Sequence, residues 1–351
     1  MRDPLAVESP VALTSPPGSR LSYREALVPP CLSCPTSPCC NYLNLQSVRL
    51  ETLIDVDHAV YLLNFTGIVF ELDLAKDELR VYLHQPCRHL DGASGLCRVH
   101  GTTAQPSICT HYDAHACGYR ASMTRDVNPG TPRLDRRRMD WYVEHLEFDD
   151  DRRIVGRPAE DETLEAFRAM PLELDPLAPP ASSEWRPVVL SPEPSGPRRY
   201  TDPVVTDPCG GCEAYCCQTL LFPRTPPRHA ADLDVLRYAV GFPGVEVAVA
   251  DEGWALVVRT TCRHLDGNRC SVYGTDERPL KCSYYDALRC TYRANFGGAR
   301  TESIVRVTYE EFDVLAESVL FDGNGQVAAV PSAEALRGLL DGNVPAPDRV
   351  G

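Results

Sequence analysis

Sixteen cysteines fall into two registered octets along this 351-residue chain. The first octet is Cys31-x2-Cys34-x4-Cys39-Cys40-x46-Cys87-x9-Cys97-x11-Cys109-x7-Cys117. The second is Cys209-x2-Cys212-x3-Cys216-Cys217-x44-Cys262-x7-Cys270-x11-Cys282-x7-Cys290. Thiols this crowded are bridged, reactive or metal-bound. A Cys-x2-Cys pair lets two thiolates converge on one ion from a single turn. Adjacent cysteines point in different directions, so Cys39 and Cys40 are not expected to ligate one small ion together. They would serve two neighbouring centres, or one metal plus a redox role. Eight thiolates suit two four-ligand centres, either tetrahedral zinc or cubane iron–sulfur. Soft sulfur selects Zn, Cu(I) or Fe–S and excludes magnesium and calcium. Structural zinc sites that only hold loops together are the plainer form of the same chemistry.

Compartment bears on the choice between metal and disulfide. The N-terminal stretch "MRDPLAVESPVALTSPPGSR" lacks the charged head and apolar core of a signal peptide, and no apolar run reaches the roughly 18 residues of a membrane helix. A cytoplasmic chain is expected, where thiols stay reduced and a disulfide framework is disfavoured.

Other groups recur beside the cysteines. His89 and His264 stand two residues past a cysteine in "CRHLDG" and could ligate, or hydrogen-bond a cluster sulfur; turn packing is favoured. His84, His100, His111 and His115 have no histidine counterpart in the second half, which argues against a ligand role common to both. Tyr112-Asp113 and Tyr285-Asp286, and then Arg120 and Arg293, repeat near the last two cysteines. The arginines could neutralise a thiolate-rich centre, or make ordinary salt bridges. "FDGNGQ" (321–326) resembles a calcium loop, but no glutamate follows at the twelfth position, so a hairpin turn is expected. Phosphate-binding, nucleophile-elbow and zinc-protease motifs are absent.

The elements that must position these groups read alike in both halves. "ETLIDVDHAVYLLNF" and "PRHAADLDVLRYAVGF" are expected helices; in the latter Leu233, Leu236 and Val240 share one face. A hairpin follows in each, turning at Lys76-Asp77 and at Asp251 to Gly253. Asp91-Gly92 and Asp266-Gly267 mark tight turns among the cysteine loops, and "AEDETLEAFRAM" and "SAEALRGLL" close each half as helices. The class is α+β: two tandem copies of a small cysteine-rich metal-binding domain, each a helix plus β-hairpin with metal-stitched loops. The boundaries expected are a disordered proline-rich arm 1–30, copy one 31–170, a proline-rich linker 171–208, copy two 209–343 and a tail 344–351. Ten of the 31 prolines lie in the linker, favouring a semi-rigid spacer, although Trp185 and Val188 to Leu190 suggest that part of it docks. The net charge of -14 would repel a phosphate backbone, so no nucleic-acid partner is expected, and no membrane. The one basic knot, "PRLDRRRMDW", reads as a solvated helix face.

The opening motif at Cys209, Cys212, Cys216 and Cys217, with Cys262, Cys270, Tyr273, Arg278-Pro279 and Cys282, resembles the YkgJ-type cysteine-cluster family, a zinc- or iron-chelating domain. The likeness covers most of both halves and is looser in the first. There the opening spacer is longer by one residue, His100 replaces the tyrosine and Gln105-Pro106 replaces Arg-Pro. Flagellin lysine methylases share a similar cluster and are associated with an iron–sulfur centre. The resemblance therefore implies an iron–sulfur cofactor of the 4Fe-4S type, with zinc as the alternative. It implies a redox or metal-dependent modification role and a protein substrate or partner. If the chain is an enzyme, an iron–sulfur oxidoreductase or a protein-modifying enzyme is implied. The alternative is a zinc-stabilised protein-binding module without catalysis.

Overall fold

Alternating apolar runs on either side of Lys76-Asp77 and of Asp251-Glu252 fold as antiparallel hairpins, and a four-stranded sheet is built on each. The computed structural model describes residues 22–26, 34, 37–113, 117–123, 125–175, 212–285, 287–292 and 304–342. The expected arm, most of the linker, including Trp185 and Val188 to Leu190, and the tail lie outside the described residues, as do Cys31, Cys209, His115, Asp286 and Arg293.

The first half runs α1 (Tyr23–Ala26), α2 (Pro38–Asn41), β1 (Tyr42–Arg49), α3 (Leu53–Leu62), β2 (Ile68–Asp73), β3 (Glu78–His84), α4 (Ser107–Thr110), α5 (Gly118–Met123), β4 (Arg133–Leu134) and α6 (Arg136–Glu144). A small hairpin, β5 (Glu147–Phe148) and β6 (Ile154–Gly156), leads into α7 (Glu160–Ala169). The second half runs β7 (Thr219–Arg224), α8 (Ala230–Val240), β8 (Val245–Ala250), β9 (Gly253–Arg259), β10 (Leu265–Asp266), β11 (Arg269–Cys270) and α9 (Leu280–Ser283). It ends with β12 (Ile304–Val307), α10 (Phe312–Ser318), β13 (Leu320–Phe321), β14 (Val327–Ala329) and α11 (Ala333–Leu340). The class is mixed α and β with small antiparallel sheets.

The two larger sheets have orders β1-β3-β2-β4 and β7-β9-β8-β12. In each, the central hairpin is flanked by one strand that precedes the helix and one that arrives much later. Strand β2 is buried along its whole length, including Glu71, whose carboxylate pairs with Arg80 across the ladder. Arg80 also holds Asp73 at 2.9 Å, so the acids on this face are met by a neighbouring guanidinium. Thr52 starts α3 with a reciprocal capping box to Asp55, and Ser332 accepts from Ala335 at the start of α11. Val56, Ala59 and Leu62 of α3 and Leu233, Leu236 and Val240 of α8 turn inward. They join a single contiguous apolar cluster that also takes in Phe70, Phe167, Phe222, Val247 and Leu336, so both halves share one core.

Two readings of the sequence are revised. Strands β1 and β7 stand between the paired cysteines and the helices, where a helix alone was expected, and they pair with β3 and β9. The basic knot is only partly a solvated face. Arg137 is exposed, but Arg138 is fully buried, because its planar fork satisfies backbone carbonyls at the end of α7. The "FDGNGQ" stretch forms the expected hairpin turn between β13 and β14, and its counterpart turns between β5 and β6.

Candidate metal centre

Each pair of adjacent cysteines sits on a single tight turn entered through a left-handed residue, Ser37 (φ 40°) before Cys39-Cys40 and Ala214 (φ 55°) before Cys216-Cys217. Neither is glycine, so both turns carry some backbone strain. The Cys40 N–H donates to Ser37 O at 2.8 Å and the Cys217 N–H to Ala214 O at 2.8 Å. The chain then enters β1 or β7, and antiparallel pairing with β3 or β9 returns the strand end to the same place. The Cys87 N–H therefore donates to Cys40 O at 2.7 Å, and the Cys262 N–H to Cys217 O at 2.7 Å. Short turns deliver the rest. Leu90 bridges Cys97, Leu265 pairs with Cys270, and the single-turn helices α4 and α9 carry Cys109 and Cys282.

The electrostatics report how close these thiols lie. A hydrogen bond from Cys40 pulls Cys39 down to about 7 against the opposing effect of burial. Cys40 is pushed well up by that hydrogen bond, by burial and by the charges of Cys39, Cys87 and Cys97. Cys109 is exposed as a residue, yet its thiol rises to about 12, through desolvation among its neighbours first and then through Cys39, Cys87, Cys97 and Asp234. The second half repeats the pattern. Cys216 falls to about 7 through its hydrogen bond from Cys217, while Cys217 is driven up by the same bond, by burial and by Cys216, Cys262 and Cys270. Cys282 rises to about 12, chiefly by burial, with Arg278 acting the other way. Thus Cys39, Cys40, Cys87, Cys97 and Cys109 share one neighbourhood, and Cys216, Cys217, Cys262, Cys270 and Cys282 another.

The remaining described thiols lie around these nests. Cys117 accepts the Arg120 N–H at 3.3 Å and is hydrogen-bonded by Tyr112. Cys290 accepts from the Tyr285 hydroxyl at 3.5 Å. Cys212 packs beside Tyr215, Ala248 and Val257, and Cys34 is half-buried. All fourteen described cysteines are free thiols. Among the described residues no three Cys, His, Asp or Glu side chains stand at metal-ligating spacing. A bound ion would therefore have to draw the gathered sulfurs together. The donor chemistry, unbridged sulfur grouped from segments far apart in the chain, fits a soft ion.

The neighbours divide more sharply than the thiols. Arg278 donates to Cys282 O at 2.8 Å, lies over the Tyr273 ring at 4.3 Å, and its charge lowers Cys216 and Cys282. Its first-half counterpart Gln105 instead accepts the Gly101 N–H within its own loop. His89 shares a 2.9 Å hydrogen bond with the Tyr309 hydroxyl, which comes from the second half of the chain. His84 stacks on Tyr42 and lines a cleft of about 450 Å³ with Gly67, Arg136, Asp175 and Arg263, apart from the thiols. Sequence reasoning missed four groups that do reach the nests: Asp57, Tyr61, Asp234 and Tyr238. Their signal was present, because Asp is the fifth and Tyr the ninth residue of both α3 and α8.

No family model, curated protein or solved structure matches the chain. Among the described residues no helix is long and apolar enough to cross a membrane.

Proposed function

We propose that the chain is a tandem duplication of a cysteine-cluster metal-binding unit, each copy holding one or two thiolate-ligated centres, iron–sulfur of the 4Fe-4S type, with a redox or metal-dependent modification role. The observation that carries this reading is the gathering of free thiols from four separated segments into one neighbourhood, once in each half. In the first copy the ligands would be drawn from Cys39, Cys40, Cys87, Cys97 and Cys109, with Cys31, Cys34 and Cys117 completing the octet. In the second copy they would be drawn from Cys216, Cys217, Cys262, Cys270 and Cys282, with Cys209, Cys212 and Cys290 completing the octet. A cluster bound there supplies one-electron transfer, its potential set by charge and hydrogen bonding around the sulfurs. The chain's own residues bind it and set that field. Arg278 places a positive charge beside the second nest, where the first has the neutral Gln105. A reactive second centre and a structural or electron-relaying first one follow from that difference. The reading includes a cytoplasmic location and a protein substrate or partner.

Anaerobic purification with iron, sulfide and zinc analysis tests it. The expected result is a brown protein whose visible absorption bleaches on reduction. A colourless protein with stoichiometric zinc replaces it with a zinc-stabilised binding module, and a protein retaining no metal removes both.

A further inference from the structure

Each thiol nest is walled by the opposite half of the chain. The Asp234 carboxylate of α8, in the second half, accepts the Ile108 N–H at 2.7 Å, one residue before Cys109 of the first. Four residues on, the Tyr238 hydroxyl donates to the carbonyl of Cys39 at 2.6 Å. At the end of the same helix, Gly241 O accepts the N–H of Arg88, next to Cys87, at 2.9 Å. A Cβ on Gly241 would lie 3.6 Å from the Cys87 sulfur, so the helix end rests against the thiol itself.

The reverse contacts repeat the carboxylate and the helix-end bond, while the tyrosine here meets Tyr292 in place of a cysteine carbonyl. Asp57 of α3 accepts the Leu280 N–H at 2.8 Å and the Lys281 N–H at 2.9 Å, fixing the turn that carries Cys282. Asn64 O accepts the N–H of Arg263, next to Cys262, at 2.7 Å, and Phe65 bridges Cys262. Tyr61 is buried beside Tyr292, Cys282 and Cys216. A local fold would have capped these turns from within its own half. Here the carboxylate that holds the Cys109 turn and the one that holds the Cys282 turn both cross the seam, from the fifth residue of α8 and of α3.

We propose that each thiol centre is a composite site, its ligands supplied by one half and the groups that position them by the other: Asp234 and Tyr238 for the first centre, Asp57 and Tyr61 for the second. This rests on reading the nests as metal centres. Asp57 and Asp234 act as positioning residues. Each holds the backbone of a ligand-bearing turn with charge-assisted hydrogen bonds, so that a thiol otherwise free to swing starts near its bound position. The two centres are then coupled through α3 and α8, and loss of order in one half weakens binding in the other.

The full-length protein, stripped of metal and titrated with Cd(II), tests this when protection of each cysteine from alkylation is read by peptide mass mapping. Asp234→Ala should raise the Cd(II) concentration needed to protect Cys87, Cys97 and Cys109 by about tenfold, within the usual range of coupling between sites, and affect Cys262, Cys270 and Cys282 less. Asp57→Ala should do the reverse. Asp234→Asn and Asp57→Asn, which keep one acceptor oxygen, should recover part of each loss. Effects confined to the half that carries the substitution, equal effects on both halves, or none from either change would overturn the proposal. If the unsubstituted protein shows no Cd(II) protection, the metal reading fails instead. Amide exchange in metal-free protein then decides the crosswise positioning. Faster exchange at Ile108 in Asp234→Ala and at Leu280 in Asp57→Ala supports it, and unchanged exchange refutes it.

Discussion

Replacing Cys40 by alanine should slow the chemistry of its neighbour Cys39. In the metal-free protein the Cys40 thiol donates a hydrogen bond that stabilises the Cys39 thiolate, and this lowers Cys39 from the ordinary 9.0 to about 7 although burial opposes it. That preference for the thiolate is on the order of 3 kcal/mol. At pH 7 roughly half of Cys39 is then ionised, against about 1% of an ordinary thiol. A less basic thiolate is also a weaker nucleophile, by roughly eightfold over two units, so the net advantage at pH 7 is roughly sixfold. Rates of iodoacetamide labelling at single cysteines, followed from pH 5 to 10 by peptide mass mapping, read this out. Labelling of Cys39 should rise with pH through a midpoint near 7. In Cys40→Ala that midpoint should climb by at least about one unit, because burial remains and the hydrogen bond does not. Access to a half-buried thiol scales the plateau rate and leaves the midpoint alone. Cys216, whose partner Cys217 is untouched, should keep a midpoint near 7 and serve as the internal standard. A midpoint near 9 in the unsubstituted protein, or one that stays near 7 in Cys40→Ala, would refute the reasoning.

The same assay separates the two nests: Arg278→Gln should raise the Cys216 midpoint and leave Cys39 unmoved, while Gln105→Ala should change neither. In metal-loaded protein Arg278→Gln should lower the reduction potential of the second centre without loss of metal, and an unchanged potential would count against a tuning role. Arg138→Met should destabilise the fold in urea titration by about 1–3 kcal/mol for each carbonyl of Arg133, Phe167 and Met170 left without a donor; a total loss under about 1 kcal/mol would show that water replaces the guanidinium.

Much of the architecture is written in short stretches of sequence. The helices α3 and α8 follow from apolar residues at helical spacing and from acids set to cap them, Asp55 and Asp232. The hairpins follow from alternation around a turn, and α7 and α11 from amphipathic runs at the end of each half. Such signals act over a few residues, so their free energies can be read without knowing what surrounds them. The repeated cysteine spacing likewise matches each thiol of one half with its counterpart in the other. The strands β1 and β7 were less visible, because their stability comes from pairing with β3 and β9 rather than from their own pattern. Arg138 misled for a related reason. A guanidinium amid other bases looks solvated, until the carbonyls that need it arrive from Phe167 and Met170, about 30 residues later in the chain.

The sequence by itself determined the repeated thiols and the local elements that carry them: cysteines on tight turns, flanked by helices and hairpins. Only the tertiary structure decided which half of the chain holds which thiols in place. Asp57 reaches Leu280 across 223 residues and Asp234 reaches Ile108 across 126, distances at which no periodicity survives. Those contacts exist because the apolar faces of α3 and α8 bury into one shared core, and that burial sets their carboxylates against the cysteine-bearing turns of the opposite half.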